Sequence, residues 1–185
     1  AFVGPVRFAV AGNEVGKREV DAAVDQPGDA FTGALGVFAV NHWSGFQNMI
    51  SDGIATAAEA DLTILALGLD CSIEGEDTGY DNDYTACGDK KSLYLPATQQ
   101  KLAEGVCDVC DNVIVVLMCG SSIDLGEKVT NHAKAILHAW YPGALGGLAV
   151  AEILAGEANP CAKLPVTIYS ADSEFPDFKD YDMRG

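Results

Sequence analysis

The chain has 185 residues, of which 49% are hydrophobic, and its formal net charge is −16. This length predicts one domain that can bury roughly 70% of its unfolded surface. The acidic excess excludes nucleic acid and anionic membranes as partners, because both need a basic binding face, and it favours neutral ligands such as sugars. No apolar run approaches the roughly 20 residues of a membrane helix. No signal-peptide pattern opens the chain, and Ala1 in place of Met suggests a processed chain or a fragment.

The first third of the chain carries a strand pattern at residues 6–11 (VRFAVA) and a second at 35–40 (LGVFAV). The Gly-, Asp- and Ala-rich stretch between them predicts irregular structure. Ser44 is placed to cap a helix with one apolar stripe. That stripe comprises Phe46, Met49, Ile50, Ile54 and Ala57.

The middle and last thirds repeat the alternation of strands and helices. Residues 62–67 form an unbroken apolar run, which predicts a strand buried on both faces, and a long loop over 68–95 follows. Pro96 opens a helix with Leu102, Val106 and Val109 on one face, and Gly105 is expected to weaken the end of that helix. Further strands are predicted at 113–118, 135–139 and 166–169. A last helix opens at 143–147 and is stopped by Gly156.

This alternation of apolar strands and helices predicts the fold class. Such strands form a parallel sheet that is covered by helices on both faces. We therefore predict an α/β protein, a three-layer α/β/α sandwich with a mostly parallel sheet, in which residues 1–185 make one domain.

Phosphate-binding and nucleophile motifs are incomplete in this sequence. The stretch 11–18 (AGNEVGKR) follows a strand, but Arg18 stands where a P-loop needs Ser or Thr to hold magnesium. The Gly120-Ser121-Ser122 stretch follows a strand without the G-x-S-x-G pattern of a nucleophile elbow. None of the three histidines lies in a motif, and His138, inside an apolar strand, is predicted to be a packed core residue rather than a base.

Metal-binding patterns are equally incomplete. Asp81 and Asp83 do not have the spacing of an EF-hand loop. Cys107-x-x-Cys110 is half of a zinc site without a second ligand pair, so structural thiols or a disulfide are favoured over zinc or redox chemistry. No metal and no organic cofactor is predicted.

The six cysteines leave two interpretations open. In an oxidising compartment they form disulfides, and in the cytosol they are buried thiols or a metal site. Cys71 and Cys87 flank the acidic residues of the 68–95 stretch, and we hypothesise a disulfide that ties its two ends. The expected location is an extracellular, secretory or lysosomal compartment.

The acidic stretch after the strand 62–67 is the strongest candidate for a site. Glu74 and Glu76 come shortly after Gly68, at the carboxyl end of a strand, where open α/β sheets place their chemistry. A carboxyl group there could donate a proton, bind a metal or be a solvated surface charge.

The stretches that decide between these roles resemble the second, α/β-sandwich domain of glycoside hydrolase family 3, which contains β-glucosidases and β-xylosidases. The similarity covers about two-thirds of the chain in the family's order, and residues 1–59 match poorly apart from VRFAVAGN. The matching stretches are ADLTILALGLDCSIEGED, CGDKKSLYLPATQQ, VIVVLMCGSSIDL, AILHAWYPGALGGLAVAEILAGEANPCAKLPVTIY and FKDYDMRG.

The resemblance implies a role for each matching residue. Glu74 matches the general acid/base glutamate and Glu76 is the runner-up. Asp89 and Lys90 lie at the positions of a substrate-binding pair, in which the family often has Arg where this chain has Lys90. The family's (β/α)8 barrel, which carries the nucleophile, is absent from the chain and becomes the expected partner.

The implied reaction is retaining hydrolysis of a terminal β-linked xyloside or glucoside. The alternative is a non-catalytic carbohydrate-binding or structural domain that has lost its barrel.

Overall fold

The computed structural model describes residues 8–12, 36–39, 47–74, 85–86, 89–171 and 179–182. The strands are β1 (Phe8–Gly12), β2 (Gly36–Ala39), β3 (Leu62–Gly68), β4 (Thr85–Ala86), β5 (Asp89–Lys90), β6 (Val113–Met118) and β7 (Ala135–His138). The helices are α1 (Gln47–Ala58), α2 (Cys71–Glu74), α3 (Ala97–Cys107), α4 (Gly126–His132) and α5 (Gly146–Ala155).

Five of these strands form one parallel sheet in the order β2-β1-β3-β6-β7. In the register of this sheet, Val115 of β6 lies between Leu65 of β3 and Ile136 of β7. Strands β4 and β5 form a separate antiparallel pair. The predicted fold class, an α/β sandwich on a parallel sheet, is confirmed.

The helices α1, α3 and α4 form one layer against the sheet. Each follows a strand and leads to the next parallel strand, and right-handed connections in one direction place helices on the same face. Accordingly α1 contacts α3, and α3 contacts α4. The core lies beneath this layer, and its largest fully buried side chains are Leu65, Leu102, Leu117, Val106, Val113, Val115 and Val129.

Most of the predicted elements are present, with small shifts of their ends. β3 alternates buried and half-buried residues instead of being buried on both faces throughout. The helix after Pro96 ends at Cys107, so Val109 lies beyond it and is exposed. Gly156 ends α5 in a left-handed conformation, as predicted. The predicted cap Ser44 lies outside the described residues.

Two predictions of local structure are wrong, and one helix has no counterpart among the predictions. Helix α4 was not predicted, because only Val129 of its seven residues is buried and an apolar stripe is missing. The predicted strand at 166–169 has no strand pairing in the structure, and Val166 is 48% exposed. The 68–95 stretch is not a single loop, since it contains helix α2 and the β4–β5 pair.

Candidate active site

The candidate site begins where β3 ends beside β6, at Gly68. Its φ is +153°, and a Cβ at this position would lie 1.7 Å from the carbonyl oxygen of Met118, so only glycine fits. The buried side chain of Gln99 fixes the same corner. It accepts the Gly68 N–H at 2.9 Å and donates to the Gly68 carbonyl at 2.7 Å. The exit of the chain from β3 is therefore held by both backbone packing and hydrogen bonds.

Glu74 is the last residue of the one-turn helix α2, which starts three residues after β3 ends. Asp70 acts as its N-cap, because the Asp70 Oδ1 accepts the Ile73 N–H at 3.1 Å. The Asp70 carbonyl accepts the Glu74 N–H at 2.8 Å. This turn carries Glu74 back over the carboxyl edge of the sheet.

The Glu74 carboxylate accepts hydrogen bonds from the ends of two neighbouring strands. The Gly120 N–H donates to Oε2 at 2.9 Å, and the Ser121 hydroxyl donates to Oε1. The Tyr141 hydroxyl also donates to Oε2. Gly120 and Ser121 follow β6, and Tyr141 follows β7, so the carboxylate joins residues that follow three strands of the sheet.

These contacts set the ionisation of the site. Partial burial raises the pKa of Glu74, but the hydrogen bonds from Ser121, Tyr141 and Gly120, with the charge of Lys90, outweigh burial and bring the pKa below its ordinary value of 4.5. Burial and the hydrogen bond to Glu74 raise the pKa of Tyr141. At neutral pH the site is therefore a carboxylate surrounded by neutral donors.

Lys90 of β5 supplies positive charge at the same edge. Its Nζ donates to the Ser122 carbonyl at 2.6 Å. Burial lowers the pKa of Lys90, and the negative charge of Glu74 partly opposes that shift. Lys90 thus steadies the turn after β6 while it stabilises the ionised form of Glu74.

A thiol and an imidazole lie behind this carboxylate. The Cys119 Sγ is 3.4 Å from the His138 Nε2 and donates to the Ser121 carbonyl at 3.1 Å. Burial and the charge of Glu74 raise the pKa of Cys119 to about 11, so it stays a neutral thiol. His138 contacts this thiol rather than Ser121, and the described residues therefore hold no Ser–His pair for nucleophilic catalysis at this edge.

Nearly the whole chain matches a known family. Residues 6–184 match the family model described as the glycosyl hydrolase family 3 C-terminal domain. The chain belongs to glycoside hydrolase family 3. The resemblance recognised in the sequence is confirmed, and the matched residues extend into the first 59, where the sequence alone showed little similarity.

Relatives of this family 3 domain are longer enzymes. The chain is 40% identical over 118 residues to a xylan 1,4-beta-xylosidase of Xylanibacter ruminicola, covering 64% of this chain and 14% of that protein. It is 43% identical over 120 residues to beta-D-xylosidase 1 of Arabidopsis thaliana, again covering 64% of this chain and 14% of the relative. The chain therefore spans about a seventh of the length of these curated relatives.

Solved structures share the fold. The beta-glucosidase D2-BGL from Chaetomella raphigera matches 89% of this chain and 26% of its own, with a TM-score of 0.64 at 22% identity. A family 3 beta-glucosidase from Bifidobacterium adolescentis matches 82% of this chain and 23% of its own, with a TM-score of 0.59 at 22% identity. These likenesses show the fold of this family 3 domain alone.

The structure brings some of the sequence-predicted site residues together. Glu74 and Lys90 lie at one edge and interact electrostatically. Asp89 precedes Lys90 in β5, and its side chain lies outside the described residues, as does all of Glu76. Their predicted roles as substrate ligand and runner-up proton donor stay predictions.

Sequence reasoning missed the side chains that hold Glu74. The sequence indicates Ser121 only as a candidate nucleophile, and it indicates no role for Tyr141 at Glu74 or for Gln99 at Gly68. A signal was available, because residues that directly follow neighbouring parallel strands must meet at one edge of the sheet. Ser121 lies three residues after β6 and Tyr141 three residues after β7.

Other expected features can be placed in the described part of the family 3 domain. Cys107 and Cys110 are buried free thiols, and Thr63 Oγ1 donates to the Cys110 Sγ at 3.3 Å. A cluster of three or more potential metal ligands is not found among the described residues. A helix of sufficient length and apolarity to cross a membrane is also not found there.

A cleft of about 930 Å³ opens beside β7. It lies between β7, α4 and residues 160–170, and Glu74 is not among its lining residues. Three aromatic side chains, Tyr94, Trp140 and Tyr169, line it together with the charged Asp124 and Lys163.

Proposed function

We propose that this chain is the second domain of a retaining glycoside hydrolase that releases terminal β-linked xylose or glucose, and that it supplies the general acid/base. The observation that carries the proposal is the Glu74 carboxylate, which is held at the carboxyl edge of the sheet by donors from two other strand ends. Relatives named as β-xylosidases and β-glucosidases support the substrate class.

The second carboxyl group of the reaction comes from another domain in this proposal. A retaining glycosidase needs a nucleophile and an acid/base about 5 Å apart across the scissile bond. Family membership supports a (β/α)8 barrel, as a domain or subunit, that carries the nucleophile. The relatives have room for it, since this chain covers 14% of their length.

The lowered pKa of Glu74 fits one half of this cycle directly. An ionised Glu74 can take the proton from the water that releases the sugar. The first half needs a protonated Glu74 to donate to the leaving oxygen. A nucleophile carboxylate brought to about 5 Å raises the pKa of Glu74, because two like charges oppose each other, and so supplies the missing shift.

Glu74→Gln in the full-length protein tests the assignment. We expect kcat/KM to fall about 10²- to 10⁴-fold on xylobiose or cellobiose, which have poor leaving groups. The first step on 2,4-dinitrophenyl glycosides should fall less than about 10-fold, because that leaving group needs little protonation. Glu157→Gln, a change at an exposed carboxyl in the same chain, is the control and should leave both rates unchanged.

Two outcomes would change the assignment. Equal losses on both kinds of substrate would show that Glu74 does not transfer the proton. A leaving-group-dependent loss in Glu76→Gln, with Glu74→Gln unaffected, would transfer the role to Glu76.

The aromatic cleft favours a second candidate function, carbohydrate binding without catalysis. Aromatic rings beside polar groups suit the apolar faces and hydroxyl groups of a neutral sugar. Binding of xylobiose by the chain itself, measured by calorimetry, would support this candidate if Tyr169→Ala weakens it. Full-length protein that is inactive on all β-glycosides while it still binds them would favour this candidate over the first.

A further inference from the structure

The turn after β7 contains an unusual backbone conformation. Trp140 has a φ of +54°, and it is the one non-glycine residue with positive φ among the described residues. A bulky side chain rarely adopts this left-handed conformation, and such positions concentrate at functional sites. The indole stacks on the last residue of β7, His138, with ring centroids 4.1 Å apart and planes 16° from parallel.

This turn directs the next residue, Tyr141, back over the sheet edge. Its ring lies against the backbone of Gly120, where a Cβ would meet the ring carbon Cε2 at 2.7 Å. Its hydroxyl reaches the Glu74 Oε2, the oxygen that also accepts the Gly120 N–H. The close approach of the ring therefore depends on glycine at position 120.

Helix α2 has too few residues to fix the Glu74 side chain by itself. It is a single four-residue turn, and Glu74 is at its end. The Ser121 hydroxyl in the turn after β6 donates to Oε1. The Gly120 N–H in the same turn and the Tyr141 hydroxyl after β7 both donate to Oε2. Together these donors set the position and the rotation of the carboxylate.

We propose that Tyr141 is a positioning residue, aimed by the left-handed turn at Trp140, that fixes the Glu74 carboxylate for proton transfer. This role rests on the proposed function of Glu74. A proton donor acts efficiently only when it is held within about 0.5 Å of its productive position. Tyr141 does not itself exchange a proton with the substrate in this proposal.

The charged and titratable groups that face Glu74 come from several elements. Lys90 of β5 attracts the Glu74 carboxylate. Two neutral groups, the Tyr141 hydroxyl and the Cys119 thiol, lie beside the carboxylate. The charge of Glu74 also acts on His138 of β7. Removal of the Tyr141 hydroxyl takes away one donor to the ionised form while the other groups stay, so the pKa of Glu74 must rise.

The first test is made on the 185-residue chain and needs no catalysis. The Glu74 carboxyl carbon is followed by NMR as pH changes in the wild type and in Tyr141→Phe. We expect the titration of Glu74 to move to higher pH in Tyr141→Phe. The same direction is expected in Gly120→Ala, whose Cβ would lie 2.7 Å from the Tyr141 ring and 3.2 Å from the Glu74 Oε2. Tyr181→Phe is the control, because Tyr181 is 82% exposed and does not contribute to the pKa shift of Glu74.

An unchanged Glu74 titration in both Tyr141→Phe and Gly120→Ala overturns the inference, whatever Glu74 does in catalysis. Circular dichroism of each variant separates loss of the contact from loss of the fold. If Gly120→Ala unfolds, Tyr141→Phe alone decides. If Tyr141→Phe unfolds, it is titrated together with wild type at a lower temperature at which both are folded.

The second test is made on the full-length protein. Tyr141→Phe should lower kcat roughly 10- to 100-fold with KM nearly unchanged, as expected for a displaced catalytic group. The basic limb of the kcat/KM profile should move to higher pH, which a purely structural role would not cause. A shifted NMR titration with an unshifted pH profile overturns the catalytic part of the inference, whereas a fully active Glu74→Gln overturns the proposed function itself.

Discussion

At the residue scale, the ionised state of Glu74 couples the site to folding. The hydrogen bonds from Ser121, Tyr141 and Gly120 exist for the carboxylate and weaken when it is protonated. The pKa of Glu74 is lower in the folded chain than in the unfolded chain, where it is about 4.5. The ionised carboxylate therefore stabilises the fold at pH values above this unfolded-state pKa. That stabilisation is lost as pH falls through the pKa that Glu74 has in the folded chain.

The free energy of unfolding should show this dependence. We expect Glu74→Gln to destabilise the chain by on the order of 1 kcal/mol at pH 7, a figure reduced by the partial exposure of the site. The difference between the two proteins should shrink as pH falls below the folded pKa. Urea unfolding at a series of pH values measures it, and a difference independent of pH would contradict the prediction.

At the scale of elements, Gln99 links helix α3 to the end of β3. Its side chain is 4% exposed and makes two hydrogen bonds to the backbone of Gly68. These bonds lie just before α2, so the same side chain supports the core and the position of Glu74. The sequence does not indicate this role of Gln99. The stretch after Pro96 has few apolar residues, and no pattern in it distinguishes Gln99 from Gln100.

Gln99→Leu should therefore destabilise the chain by roughly 2–4 kcal/mol, because it removes two buried hydrogen bonds to the Gly68 backbone and replaces them with an apolar side chain. Lys101→Leu, an exposed position two residues later, is the control and should cost little. Urea unfolding gives both values. A loss under about 1 kcal/mol for Gln99→Leu would mean that water replaces the side chain at Gly68.

The packing of α1 on α3 explains the glycine inside a helix. Gly105 was expected to weaken the end of α3, but the helix continues to Cys107. A Cβ at Gly105 would lie 2.4 Å from the Cδ1 of Ile54, so the glycine permits close contact with α1. The lost helix propensity of about 1 kcal/mol is thus offset by packing between the helices.

Gly105→Ala should destabilise the chain by about 1–3 kcal/mol despite the better helix propensity of alanine. The pair Gly105→Ala with Ile54→Val should recover part of that loss, because valine lacks the Cδ1 atom. Gly147→Ala in α5 is the control, since a Cβ there meets no atom within 4 Å, and it should be neutral or stabilising. Additive effects of the two changes in a double-mutant cycle would contradict the proposed contact.

At the scale of the whole molecule, the described residues contain a buried core, and the proposed function assigns one catalytic carboxylate, Glu74, to this chain. The described residues by themselves form a buried core beneath α1, α3 and α4. In the proposed function the nucleophile comes from a barrel domain. Asp77, Asp81 and Asp83 follow Glu74 in the chain and lie outside the described residues. That residues 1–185 form a single domain stays a prediction.

The purified 185-residue chain should therefore fold cooperatively and fail to hydrolyse aryl β-xyloside or β-glucoside. Far-UV circular dichroism with thermal unfolding checks the first part, and release of the chromogenic leaving group checks the second. The full-length protein serves as the positive control. Turnover by the chain alone that disappears when one of those aspartates is changed would show that both catalytic groups lie in this domain.

The location of the protein bears on its cysteines. The hypothesised Cys71–Cys87 disulfide would close a loop of about 17 residues and stabilise the fold by roughly 3 kcal/mol in the chain-entropy model. Both side chains lie outside the described residues. Peptide mapping without reduction should find the linked pair if the protein is extracellular or secretory, as we propose, and free thiols would favour a reducing compartment.

The sequence by itself determined the parallel α/β architecture, because the runs at 62–67 and 113–118 are apolar enough to be strands and are separated by helical patterns. It also determined the family, through stretches that span most of the chain. Glu74 could be selected from its place after a strand and from that resemblance. Each of these inferences uses residues close together in sequence or a match to other sequences.

Only the tertiary structure decided how Glu74 is held. Its donors lie 46, 47 and 67 residues away, and the parallel order of β3, β6 and β7 is what brings them to one edge. Gln99 at Gly68 and Gly105 at Ile54 are likewise contacts between elements that local patterns do not encode. The lowered pKa of Glu74 follows from those long-range contacts, so the sequence could indicate the carboxyl group but not its ionisation.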